Sequence, residues 1–512
     1  MTKSTIVTLA LASALILGSG VAAFAQGDSG ALVDALGRKK ILTAQEGEDI
    51  RADLIKENAT TNAGKINLSN SITELKIYGD IRLREQYENW DPQLEPAQSP
   101  AKGSTGTGNP QHGVQQDRFR FRLRLNADFK LTGGFFGGIQ LQTNSASDSG
   151  NQTFGDRGNA PGNQAFGNYG IYISRAFFGW QNSDWGLTII GGKQPNPFYT
   201  TDLVWDPDIN PDGATESLAI HKLVADCHSE QGSGYSKDGK TVTSTVQEEL
   251  PWELTLNMGQ LMYADNVEDA VGTDFKTDAW LFAEQAVASY KVTPDVKVTV
   301  APGYMTYTNG NLTAANNTVK FVNTVVLAHS VTRNLSILTA PGDVSFKIRG
   351  IKTKVLWDFA FNTDGADRYN ENLGGTAASF NPGAPTPLLS TSPALRHRAI
   401  HTSADDIAWL AGFVLGENKK QGDWSLFANF RQTGIASIDP NINDSDFALS
   451  YVNMQGYKVG VAYNLTDFCV GAVTWYDAWN LRNLFGGEAT ADQAIANANQ
   501  VQVLQVDLSV KF

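Results

Sequence analysis

Cysteine is nearly absent: Cys227 and Cys469 are the only two in 512 residues. Two thiols so far apart make no disulfide framework of the kind that staples small secreted folds, and they are read as free. Long apolar runs are missing as well. After residue 25 no stretch of about eighteen apolar residues occurs, which excludes a spanning helix. It does not exclude a membrane barrel, in which only every second residue faces lipid. A basic excess is also lacking: 40 Lys and Arg stand against 53 Asp and Glu, a formal net charge of -13. Nucleic-acid-binding domains show the opposite balance, so nucleic acid is not a partner. The six histidines form no recognised ligand set. His397 and His401 in "HRAIH" have the spacing of a zinc-binding helix, but Arg398 stands where the glutamate of H-E-x-x-H belongs. His221, Cys227 and His228 have no ligand spacing either, and no G-x-S-x-G elbow occurs. No catalytic residue, metal or cofactor is assigned.

What is present begins with an export signal. Lys3 precedes the short apolar core "IVTLALASALIL", and Ala23-Phe24-Ala25 forms a cleavage site before Gln26. Residues 1–25 are therefore a signal peptide, and 26–60 read as a helical segment. Leu32, Val33 and Leu36 fit a first short helix. Thr43 with Glu46 makes a capping box for a second, along which Ile50, Leu54 and Ile55 recur at helical spacing. Residues 61–73 are a linker to a β-rich region over 74–512.

In that region the period is two. "RFRFRLRLNADFKL", residues 118–131, places Arg118, Arg120, Arg122 and Arg124 on one face and Phe119, Phe121, Leu123 and Leu125 on the other. "ELKIYGDIRLREQYE" does the same, with Arg82 and Arg84 opposite Ile81 and Leu83. The final "VLQVDLSVKF" alternates to Phe512. Connectors run long (89–116), short (132–134), long (145–168), short (181–185) and long (194–217). That rhythm, with about sixteen strands and fourteen or eighteen as alternatives, is expected of an antiparallel transmembrane β-barrel with short periplasmic turns and long outer loops.

Arginine at the lipid-facing midplane costs roughly 2 to 4 kcal/mol. The six arginines at 82, 84, 118, 120, 122 and 124 are thus expected to line a lumen. There they either select solutes or brace the wall through Asp80, Asp117 and Asp128. The third long loop carries Asp202, Asp206, Asp208, Asp212 and Glu216. Folded inward, these carboxylates would face the arginines across a constriction and set selectivity at close range; otherwise the loop is a solvated acidic surface. Two places fit poorly. Residues 228–248 fall where a short turn is due, and the apolar parity flips at Gly350, as at a bulge or a misplaced strand.

The segments "ALVDALGRKKILTAQEGEDIRADL", "LKIYGDIRLREQYE", "DRFRFRLRLN", "ISRAFFGWQ", "GGKQPNPFYTTDLVWDPDINPDG" and "DLSVKF" span nearly the whole mature chain. Together they resemble a porin family of Gram-negative outer membranes in which an N-terminal helical segment precedes the barrel. The resemblance implies a passive channel for small hydrophilic solutes, embedded in outer-membrane lipid and often trimeric. It puts Asp202, Trp205, Asp206 and Asp208 in the family's loop motif without specifying a solute, and makes Phe512 the C-terminal insertion signal. A phosphate- or anion-selective porin is the nearest alternative, against which no lysine cluster is evident. Alternatives from other classes are a barrel enzyme and a tether contacting the cell wall through residues 27–58.

Overall fold

The structure, a computed structural model, describes residues 69–92, 114–143, 149–155, 167–225, 230–235, 241–246, 250–264, 278–308, 332, 334–372, 405–482 and 498–512. The signal peptide, the helical segment over 26–60, most of the linker, Cys227, His228 and the His397/His401 pair lie outside them. The chain divides into two units, Met1–Asn70 and Ser71–Phe512. The second is the barrel.

Sixteen antiparallel staves close it. They are β1 (Ile72–Pro92), β2 (Val114–Leu131), β3 (Phe135–Thr143, resumed at Gln152–Thr153), β4 (Ile171–Asn182), β5 (Leu187–Lys193) and β6 (Asp212–Ala219). Next come β7 (Trp252–Ala264), β8 (Ala279–Thr293), β9 (Val296–Val300 with Gly303–Tyr307), β10 (Ser336–Thr339 with Gly342–Ile348) and β11 (Ile351–Asn362). β12 (Ile407–Gly416), β13 (Trp424–Thr433), β14 (Met454–Asn464), β15 (Cys469–Asn480) and β16 (Ala498–Lys511) complete the wall. β1 pairs with both β2 and β16, so no strand edge is left open to lipid. The breaks in β9 and β10 fall at Pro302 and Pro341, which have no N–H for the ladder. Their carbonyls still accept from neighbouring staves, Pro302 from the Ala286 N–H at 2.9 Å and Pro341 from the Ala301 N–H at 2.8 Å.

The alternation read from the sequence sets the two faces. Ile81 lies opposite Leu123 and Arg82 opposite Arg122. Ile77, Ile81, Leu83, Phe119, Leu125, Ile139 and Leu141 are exposed on the outer face, whereas Arg84, Arg122, Asn126, Gln140 and Gln142 are buried inside. The terminal Phe512 exchanges backbone hydrogen bonds with Gly79 at 2.9 and 3.0 Å. A Cβ on Gly79 would lie 2.7 Å from the Phe512 ring and 2.4 Å from the Arg124 carbonyl, so only glycine lets the chain end dock there.

The two poorly fitting places have separate explanations. Arg349 and Gly350 both have positive φ, 51° and 84°, and connect Ile348 directly to its partner Ile351. The parity flip is a two-residue hairpin turn of the primed type, in place of a bulge inside one strand. Where a short turn is due, the described residues form a short helix, α1 (Ile220–Ala225), and a hairpin of Glu230–Tyr235 with Thr241–Val246. Within it, "GYSKDGKT" over 234–241 satisfies the G-x-x-x-x-G-K-[ST] pattern. It joins two antiparallel strands, whereas a phosphate-binding loop joins a strand to a helix, so the match assigns no nucleotide site.

The interior is asymmetric. Inward faces of β7 to β12 carry Leu261, Leu281, Met305, Ile337 and Leu410, packed against Leu203, Val204 and Trp205 of the connector over 194–211 and against Ile435, Ile438 and Ile442 of the connector over 434–453. The six arginines at 82, 84, 118, 120, 122 and 124 lie on β1 and β2, outside this filled half.

Candidate functional site

The connector over 194–211 bridges the lumen. At its start Gln194 accepts a hydrogen bond from Thr215 of β6 at 2.7 Å. The Tyr199 N–H then donates to Gln285 of β8 at 2.8 Å, its hydroxyl bonds Asp343 of β10, and the Thr201 hydroxyl donates to Asp358 of β11 at 2.6 Å. Asp202 reaches the far wall, where Arg431 of β13 holds it at 2.9 Å and Lys458 of β14 at 2.7 Å. The chain then turns back, and Asp208 meets Arg122 of β2 at 3.3 Å and Arg124 at 3.9 Å. One loop thus spans the barrel from a β13–β14 anchor to the arginine wall.

A second inward loop supports it. The Asp206 N–H donates to the Ile442 carbonyl at 2.6 Å, and the Asp444 N–H to the Asp202 carbonyl at 3.3 Å. The Asp206 carboxylate accepts from the Ser445 N–H at 3.1 Å, the Ser445 hydroxyl at 3.0 Å and the Asp208 N–H at 2.8 Å. Burial of Leu203 and Val204 contributes about 1.5–3 kcal/mol each to docking. Some of that is offset by strain in the second loop, where Ala448, Leu449 and Ser450 are all left-handed (φ 53°, 57° and 65°) at roughly 1–2 kcal/mol per residue.

Burial and charge perturb the loop carboxylates in opposite directions. Burial, reinforced by Asp444 and Asp208, pushes Asp206 up to about 8. Burial likewise raises Asp444 to about 6 against the pull of Lys458 and Arg431. For Asp202 burial acts upward too, but Arg431 and Lys458 outweigh it and hold the carboxyl well below its ordinary range. In Asp446 burial is outweighed by Arg84, Arg82 and Arg120.

All six arginines expected in the lumen are there, with different partners. Arg84 forms a bidentate pair with Asp507 of β16 (2.7 and 2.9 Å) and lies 3.4 Å from Asp446. Arg118 pairs with Glu88, and Arg124 with Asp80 at 2.7 Å. Arg122 contacts both Asp80 and Asp208 at 3.3 Å. Arg82 and Arg120 bond neutral oxygens: Arg82 the Asn151 side chain at 2.6 Å, Arg120 Gln86 at 2.9 Å and the Asn151 carbonyl at 3.5 Å. Of the carboxylates expected to brace the wall, Asp80 does so. Asp128 accepts from the Tyr78 hydroxyl at 2.7 Å, and Asp117 lies opposite Tyr87 on the outer face.

Asp202, Asp206 and Asp208 belong to the bridging loop, but Asp212 and Glu216 do not. They are strand residues of β6, laddered between β5 and β7. Thr215, bonded to Gln194, takes the inward face, so alternation turns Asp212 and Glu216 outward. Asp212 pairs there with Lys193 at 2.8 Å, and Glu216 stands between Ile189 and Met258. A second correction concerns lysine. Lys291, Lys297, Lys347, Lys352 and Lys354 share the inward face of β8 to β11 toward the short turns. Glu253, Asp295, Glu417 and Asp343 pair with four of them. Lys347, Lys352 and Lys354 lie together in the hairpin around Gly350, but Lys291 and Lys297 lie far upstream, so only strand register joins the five into one row. Sequence reasoning likewise does not single out Arg175, Arg431, Lys458, Asp444, Asp446 or Asp507. Among the described residues no group of three or more His, Cys, Asp or Glu is placed to hold a metal ion.

Among solved structures, a complex of Salmonella typhi OmpF with daunomycin is similar at 10% identity and TM-score 0.40, covering 87% of this chain and all of that one. A mutant of Rh. blastica porin is similar at 10% identity and TM-score 0.38, covering 86% of this chain and 100% of that one. No curated protein matches. A family model described as "Putative porin" matches residues 39–382 and 367–512, and the chain belongs to that porin family.

Proposed function

We propose that this porin lets small hydrophilic solutes and ions diffuse passively across the outer membrane, through a lumen narrowed by residues 194–211. The observation that carries the reading is the bridging loop, anchored at Asp202 on one wall and meeting Arg122 and Arg124 through Asp208 on the other. A passing solute meets guanidinium groups on one side and loop carboxylates beside them. In a confined, partly desolvated opening such charges act more strongly than in bulk water. Nothing in this route needs a chemical step; the gradient drives flow. Liposome swelling tests it: vesicles holding the refolded protein should swell in isotonic arabinose faster than in a disaccharide, with protein-free vesicles as the baseline. Equal, baseline swelling in both sugars would count against a diffusion channel.

A further inference from the structure

Three guanidiniums of the lumen wall are bonded only to neutral oxygens among the described residues. Arg82 holds the Asn151 side chain, Arg120 holds Gln86 and the Asn151 backbone carbonyl, and Arg175 of β4 holds Asn210 at 2.7 Å. None has a carboxylate within the 4.0 Å ion-pair distance there, whereas Arg84, Arg118, Arg122 and Arg124 each have at least one. Nε of Arg82 and of Arg120 is buried without a hydrogen-bond partner among the described residues, as it is in the acid-paired Arg118 and Arg122, so the neutral partners of their other nitrogens are what set Arg82 and Arg120 apart. A charge-assisted hydrogen bond to an oxyanion is roughly twice as strong as one to a neutral oxygen, so an arriving oxyanion gains by displacing an amide oxygen from these guanidiniums. The amide partners orient the guanidiniums without cancelling their charge. Among the described residues Asp446 is in ion-pair contact with Arg84 alone, at 3.4 Å, and Asp507 also pairs that arginine; Arg82 and Arg120 act on the Asp446 carboxyl from beyond ion-pair distance.

We propose that Arg82, Arg120 and Arg175 form a stepwise binding path for the carboxylate or phosphate groups of anionic solutes. It rests on the porin reading and sharpens it to a solute class. β1 and β2 place Arg82 and Arg120 on adjoining rows, Arg84 facing Arg120 and Arg82 facing Arg122. Arg175 lies farther along toward the short turns, in register through Gln140 and Asn126 with Tyr78. An anion released by one guanidinium therefore has another ahead of it, and neutral amides yield to it more readily than carboxylates would. The arginines already paired with acids contribute shape and a field.

The discriminating change leaves the arginines in place and charges their amide partners. Asn151→Asp and Asn210→Asp are near-isosteric and convert amide-held arginines into ion pairs, so the barrel keeps its packing. Wild type and both variants are refolded, checked for the heat-modifiable gel shift of a closed barrel, and recorded as single channels in a KCl gradient with citrate added as blocker. Each variant should bind citrate about tenfold more weakly, the change equivalent to about 1.4 kcal/mol, and move its reversal potential toward cations. Arg82→Gln combined with Arg120→Gln should do the same by removing the charge itself. Conducting variants with unchanged citrate block and reversal potential would overturn the anion path while leaving the porin intact. A wild type that inserts without conducting would instead overturn the porin reading.

Discussion

Asp202→Asn tests how the bridging loop is held. In the native protein one carboxylate satisfies two cations, Arg431 at 2.9 Å and Lys458 at 2.7 Å. Removing one partner of a buried ion pair costs about 3–5 kcal/mol, chiefly because the cation left behind is neither solvated nor paired. Asp444 remains 3.1 Å from Arg431 and 3.9 Å from Lys458, so the lower end applies, about 3 kcal/mol. At about 1.4 kcal/mol per factor of ten, the ratio of docked to undocked loop should fall on the order of a hundredfold. No stave pairing involves Asp202, so the wall should still close. Single-channel recording should then show open-channel noise far above wild type and excursions to higher conductance. A variant with native gel mobility, native noise and native unit conductance would refute the anchoring argument.

Three further outcomes are expected. Asp206 and Asp444 are both raised, so the stability they contribute to docking is fully present below the ordinary carboxylate value of 3.8 and is lost as pH rises through about 6 and about 8, while the Asp202 anchor persists. Channel noise should therefore grow between about pH 5 and pH 9, and Asp206→Asn should flatten most of that dependence; noise rising toward acid would reverse the sign. Asp202 is shifted the other way, so its contribution fades only as pH falls through the acid range below this window. Glu216→Leu should leave conductance unchanged and raise stability in lipid by about 1 kcal/mol, since the gain from removing a carboxylate from the outer face is offset in part by loss of the hydrogen bond that Gln260 donates to it at 3.2 Å. Altered conductance would return Glu216 to the lumen. Gly350→Ala should lower the urea midpoint by roughly 1–2 kcal/mol of stability, because φ is +84° with open space around the position. An unchanged midpoint would mean the turn relaxes.

Strand alternation is legible in the sequence wherever one stave face meets lipid and the other water, as in β1, β2 and β16. Cost alone is enough to put Arg82 to Arg124 inside. The pattern is less legible in β7 to β12, where Leu261, Leu281, Ile337 and Leu410 make the inward face apolar too and erase the contrast. Asp212 and Glu216 read as loop residues because an acidic stretch with Pro and Gly looks like a connector until its ladder partners are known. The second inward loop leaves one trace that is easily overlooked, Ile435, Ile438, Ile442 and Phe447 spaced through an Asp- and Asn-rich segment. Apolar residues at that density do not suit a solvated loop. The lysine row and the amide-held arginines depend on cross-stave register, which no local pattern encodes.

If the inward loop makes a charged constriction, the barrel must conduct through it with a preference for one sign of ion. Single-channel recording of the refolded protein in planar bilayers, under a salt gradient, reads both properties at once. Discrete conductance steps are expected, with a nonzero reversal potential that shifts toward cations when Arg82 and Arg120 are neutralised. Folded, inserted protein with no discrete conductance would contradict it.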